Sequence, residues 1–112
     1  MSLKLKLKNK EFTVGSWITI GSTEVAELLG KTSLFDWLVV DMEHSAIGIR
    51  EAQEIIRVID LCGVAPIVRL TENNEGQIKR VMDAGAHGIM VPMVNSKADA
   101  ELAVSSVYYP PK

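Results

Sequence analysis

Two rhythms of apolar and polar positions alternate along this chain. Short apolar runs at residues 14–20 (VGSWITI), 37–41 (WLVVD), 64–70 (VAPIVRL) and 88–91 (GIMV) read as strands. Between them lie segments whose apolar residues recur every three or four positions, the spacing of a helix with one buried face. Ser22 caps a helix over residues 23–29 that Gly30 ends. Residues 51–62 form the next, with Ala52, Ile55, Ile59 and Cys62 on one stripe and Gly63 as its stop. Residues 75–84 form a third, with Ile78, Val81 and Met82 inward and Gly85 as C-cap. Ser96 and Asp99 make a capping pair for a fourth, running to about Ser106.

Strand followed by helix, four times over, predicts an α/β fold with a parallel sheet. The second strand supports this, since an unbroken apolar run suits a strand buried on both faces. Pro66 weakens the third, because it cannot donate to a ladder. With 112 residues and no low-complexity stretch, a single domain over 1–112 is expected, with 1–12 as a leading segment.

Charge changes the picture only at the start. Lys4, Lys6, Lys8 and Lys10 fall in the first ten residues, which hold no acid; the rest carries all 14 acids and the other eight bases. An acidic body argues against nucleic-acid binding, and the lysine-rich start reads as solvated. No apolar run nears the roughly 20 residues that span a bilayer. The single Cys62 excludes an internal disulfide and reads as a buried structural thiol. A cytoplasmic location is expected.

In parallel α/β proteins the chemistry gathers where strands run into the following loops. Three such ends carry informative residues. Gly21 and Ser22 follow the first strand, and their small size lets a substrate approach the backbone. Asp41, Glu43 and His44 follow the second, where VVDMEHSAIG turns from apolar to charged. Arg69 closes the third and needs an anionic partner. Taken singly, each has a structural reading: an Asp41 or Glu43 ion pair for Arg69, a turn cap for Asp41, a loop histidine for His44. Together, a carboxylate, an imidazole and a guanidinium at neighbouring strand ends supply an oriented base and an anion clamp. His87 precedes the fourth strand, at the opposite end of the sheet, and reads as structural.

The chain has no phosphate-binding glycine loop, dinucleotide fingerprint, Cys/His metal spacing or nucleophile elbow. A receiver-like domain with Asp41 as phosphoacceptor would want acids after the first strand, where Gly21 and Ser22 stand.

The stretches GSWITIGS, FDWLVVDMEHS, APIVRL, IKRVMDAGAHGIMVPMVNS and YYPPK together resemble the HpcH/HpaI aldolases, metal-dependent (class II) pyruvate aldolases with citrate-lyase-like relatives. That resemblance implies a TIM barrel of which this chain carries about four of the eight βα units. It implies His44 as catalytic base with Asp41 as its carboxylate partner, so the chain must turn just past Asp41. Arg69 would contact the oxygens of pyruvate or its enolate, with Trp17, Gly21 and Ser22 lining the pocket and Glu43 just outside it. A divalent metal (Mg2+, Mn2+ or Co2+) is implied as cofactor, with its Glu and Asp ligands in a C-terminal half beyond Lys112. The implied substrates are a 2-oxoacid and an aldehyde, and the implied assembly a homo-oligomer. The alternative is an inactive half-barrel that self-associates or serves as an interaction module, since an open sheet exposes two unpaired edges.

Overall fold

The computed structural model describes residues 2–107, and in it the four predicted strands lie side by side in one parallel sheet. Strand β1 is Gly15–Ile18, β2 Trp37–Asp41, β3 Ala65–Arg69 and β4 Gly88–Met90. Their spatial order, β1-β2-β3-β4, is their order in sequence. A doubly wound sheet reverses its strand order at a switch point, whereas successive units of a (β/α) barrel do not. The chain thus folds as four consecutive βα units of a TIM-type barrel.

Parallel register separates the two faces of the sheet. Ile18, Val40, Val68 and Ile89 form one cross-strand row. With Leu38 they face the helices, against Ile55, Ile56 and Ile59 of α3 (Ile49–Leu61) and Ile78 and Val81 of α4 (Glu75–Asp83). All of these but Ile89, which is partly buried, are at most 1 % exposed. Each fully buried aliphatic side chain contributes about 1.5–3 kcal/mol of apolar transfer, so this layer fixes the sheet. The opposite row, Trp17, Val39, Ile67 and Gly88, and the row above it, Asp41, Arg69 and Met90, form the inner face.

The helices start where side chains can satisfy their first amide groups. Ser22 accepts from Val25 N–H at the start of α2 (Thr23–Gly30), and Asn74 from Gln77 N–H at the start of α4. Gly48 has no side chain to offer, and Glu51 reaches back 2.8 Å to its N–H instead. Asp99 N–H is held by Ser96 Oγ, as the capping pair of α5 (Lys97–Val107) requires. Pro66 is tolerated in β3 because its carbonyl faces β4 and takes His87 N–H at 2.8 Å. On that side the ladder begins only at Ile67↔Gly88, so the missing donor is not needed.

The first residues add an element that was not expected. Leu3–Lys8 is a helix, α1, capped by Ser2, and it has no buried residue, in keeping with a solvated leading segment. The period-two Lys/Leu alternation conceals it, yet Leu3 and Leu7 stand one turn apart and line an apolar cavity of about 210 Å3 with Trp37, Ile67 and Met90. Lys6 then binds Asp36, just before β2, at 2.7 Å. Cys62 is half-buried against the core instead of fully enclosed. The YYPPK stretch, residues 108–112, lies outside the described residues.

Candidate active site

Asp41 is the last residue of β2, and burial leaves it 1 % exposed. A carboxylate there must be fully hydrogen-bonded. Arg69, paired with it in the β2–β3 register, supplies the main partner. Its Nε donates to Asp41 Oδ1 at 3.1 Å and its Nη2 to Oδ2 at 2.7 Å. The turn supplies the rest: Glu43 N–H and His44 N–H donate to Oδ1 at 2.9 and 3.0 Å. This is an Asx-type turn, and Ser45 extends it by donating its hydroxyl to the Asp41 carbonyl and accepting Ile47 N–H. The bend just past Asp41 therefore exists as expected. The Arg69 guanidinium, helped by the two amide donors, holds the Asp41 carboxyl at about 2 despite its burial.

Arg69 is gripped on a second side. Its Cζ lies 4.4 Å from the centroid of the Trp17 ring. Glu43 Oε1 stands 3.6 Å from Arg69 Nε. Two of the five guanidinium donors are spent on Asp41, so the others remain for an anion.

His44 differs from expectation. Asp41 receives the backbone of His44, not its ring. The ring's Nε2 faces Glu43 Oε1 at 3.3 Å, and the His44 side chain is 67 % exposed. Burial separates the two: Asp41 is enclosed, with Oδ1 taking three N–H groups and Oδ2 one from Arg69, whereas the His44 ring stands out beside Glu43. The sequence offered Glu43 as one of two ion-pair partners for Arg69 and placed it just outside the pocket; the structure sets it beside both Arg69 and His44.

Gly21 and Ser22 lie elsewhere. They line a concavity of about 470 Å3 between α2 and α3 with Thr23, Glu24, Arg50, Glu51, Glu54 and Ile55, whose walls include none of Asp41, His44 or Arg69. Ser22 is occupied as a helix cap. His87 sits below the sheet with its Nε2 3.1 Å from Asp60 Oδ1, the structural placement expected of it.

The described residues do not fit a metal ion. No three His, Cys, Asp or Glu side chains among them could hold one, and the best-placed carboxylate, Asp41, is committed to Arg69. Nor is any described helix long and apolar enough to cross a membrane.

Comparison with known proteins places this geometry in context. The profile of the HpcH/HpaI aldolase/citrate lyase family matches residues 14–112. A 2-dehydro-3,6-dideoxy-6-sulfogluconate aldolase of Pseudomonas putida is 42 % identical over 105 residues, 94 % of this chain and 41 % of that protein. A hydroxypyruvate/pyruvate aldolase of Sagittula stellata is 37 % identical over 108 residues, 96 % of this chain and 42 % of that protein. The crystal structure of an HpcH/HpaI aldolase from Desulfitobacterium hafniense superposes with a TM-score of 0.87 at 29 % identity, covering 99 % of this chain and 43 % of that one. The chain thus spans about two fifths of the length of these relatives.

Proposed function

The chain belongs to the HpcH/HpaI aldolase/citrate lyase family, and from that premise we propose that it carries the base and anion clamp of a pyruvate-type aldolase. The reaction is cleavage of a 4-hydroxy-2-oxoacid to pyruvate and an aldehyde, or its reverse. One observation carries the reading: Glu43 Oε1 contacts both His44 Nε2 and Arg69 Nε, so base and clamp share one corner of the sheet's C-terminal edge.

Arg69 presents its free guanidinium edge to the 2-oxoacid carboxylate and to the oxygen on which negative charge develops. Asp41 and Trp17 fix the guanidinium plane, so no reorganisation is needed as that charge grows. His44 takes the proton of the C4 hydroxyl. The C3–C4 bond then breaks: a carbonyl forms at C4 and releases the aldehyde, while the electron pair passes to C3 as the pyruvate enolate. A proton delivered to C3 completes pyruvate. Dependence on Mg2+, Mn2+ or Co2+ is part of the proposal, with the ligands outside the described residues, and so are a cytoplasmic location and homo-oligomeric assembly. Pyruvate release from a 4-hydroxy-2-oxoacid, followed in the protein from its full reading frame with and without Mn2+, tests the reading. No release with metal present refutes it.

A second reading draws on the sheet's edges. Among the described residues β1 and β4 each pair on one side only, and Trp17 and Met90 on the inner face are 40 % and 38 % exposed. On this reading the chain is an inactive half-barrel that associates through its open edges. Light scattering separates the two: a folded monomer contradicts self-association.

A further inference from the structure

Glu43 has no step in the proposed reaction, yet the structure places it between two residues that do. Its backbone N–H belongs to the Asp41 turn, and its carboxylate lies between the His44 ring and the Arg69 guanidinium, at 3.3 and 3.6 Å. Its side chain is 23 % exposed, against 67 % for His44. The more buried group is therefore the anchor and the more exposed one the group being held. Asp41 meets only the backbone N–H of His44, and the ring faces Glu43 instead.

We infer that Glu43 is the positioning residue of His44, fixing both the direction of the imidazole and the nitrogen that accepts the substrate's proton. A carboxylate offers only lone pairs. A bare ring nitrogen 3.3 Å from it would set lone pair against lone pair, so Nε2 carries the hydrogen and Nδ1 is left as the basic atom. Arg69 completes the arrangement from the other side. Its guanidinium, 3.6 Å from Glu43 Oε1, draws that carboxylate toward the strand end, so the ring follows the clamp that binds the substrate's carboxylate. Base and clamp are thereby tied to one another through a single side chain.

This rests on the reading of His44 as the base, and the test separates the two claims. Nitrogen-15 spectra of the imidazoles at about pH 8.5, where an ordinary histidine is neutral, report the tautomer, and ring relaxation reports the order. Wild-type protein is expected to show His44 protonated at Nε2 with a restrained ring. Glu43→Ala mixes the two tautomers and frees the ring, while Glu43→Asp, which keeps the carboxylate, restores part of both. His87, whose ring meets Asp60, stays unchanged in every variant and reports that the fold is intact. In turnover, Glu43→Ala lowers kcat by about 10- to 100-fold with little change in KM, a loss confined to a proton-transfer step. If the His44 tautomer and ring order are the same in wild type and Glu43→Ala, the inference is overturned whatever the turnover. If the ring is freed and turnover is untouched, Glu43 does position His44, and it is the role of His44 as base that fails.

Discussion

Arg69 and Asp41 occupy directly paired positions on neighbouring parallel strands, and their side chains close a two-point fork at the C-terminal edge of the sheet. The pairing is dictated by register: a one-residue slip of either strand would turn that strand's charged side chain toward the helices. The Val39–Val40 and Ile67–Val68 runs just below are what prevent such a shift, since Val40 and Val68 are fully buried on the helix side. Packing of the adjacent residue therefore aims each member of the charged pair.

Removing one partner of such a pair costs more than the pair itself contributes, because the other charge is left unmatched. Asp41→Asn should lower stability by about 3 kcal/mol, read as a lower urea midpoint at an unchanged denaturant slope. An unchanged midpoint would mean that the fork carries no stability.

Acid should act through the same carboxylate. Its folded-state value, about 2, lies below the usual 3.8, so the unfolded chain takes up the proton first as pH falls. The stabilisation, about 2 kcal/mol from the size of that shift, is complete above pH 4 or so. It is lost as pH drops from about 4 toward 2. In Asp41→Asn the acid limb of the stability curve should be correspondingly shallower, as urea titrations across that range would show.

Lysine cannot reproduce the fork. Arg69→Lys keeps the charge but offers a single point contact to Asp41 and no plane to lie against Trp17. We predict that kcat/KM for pyruvate formation falls about 10- to 100-fold in Arg69→Lys and about 1000-fold in Arg69→Ala. Equal losses in the two variants would argue that charge alone matters and that the fork's geometry does not.

Asp36 ties the first helix to the sheet, accepting from Lys6 Nζ at 2.7 Å and from Val14 N–H at 2.9 Å. Asp36→Ala should speed amide exchange of Leu3–Lys8 and Val14, leaving turnover alone. Exchange unaltered in that helix would show that Leu3 and Leu7 hold it without the ion pair.

The strands and four of the helices were legible because each has its own local signal: an apolar run, a 3.6-residue stripe, a capping side chain, a glycine stop. Trp37–Asp41 matches its expected limits, and the other predicted elements differ by a few residues at most, where helices fray and ladders run out. Helix α1 was not legible, because alternating lysine and leucine disguises an i, i+4 pair and its ion-pair partner, Asp36, lies 30 residues away. The site divides the same way. Strand ends located Asp41, His44 and Arg69, and the need of Arg69 for an anion pointed to Asp41 or Glu43. Where the His44 ring ends up depends on how the chain turns past Asp41, and that turn is held by two backbone amides that no residue pattern reveals. The resemblance paired the His44 ring with Asp41; in the structure Asp41 meets the His44 backbone and the ring faces Glu43. Gly21 and Ser22 were placed by strand order and by the resemblance, and in the structure they line the α2–α3 concavity.

The most direct test is the rate of pyruvate release from a 4-hydroxy-2-oxoacid by His44→Ala in the metal-supplemented protein, beside wild type. If His44 is the base held at this corner, kcat should fall by about 100-fold or more. Turnover within about twofold of wild type would leave no transition-state role for the imidazole and would contradict the assignment of the site.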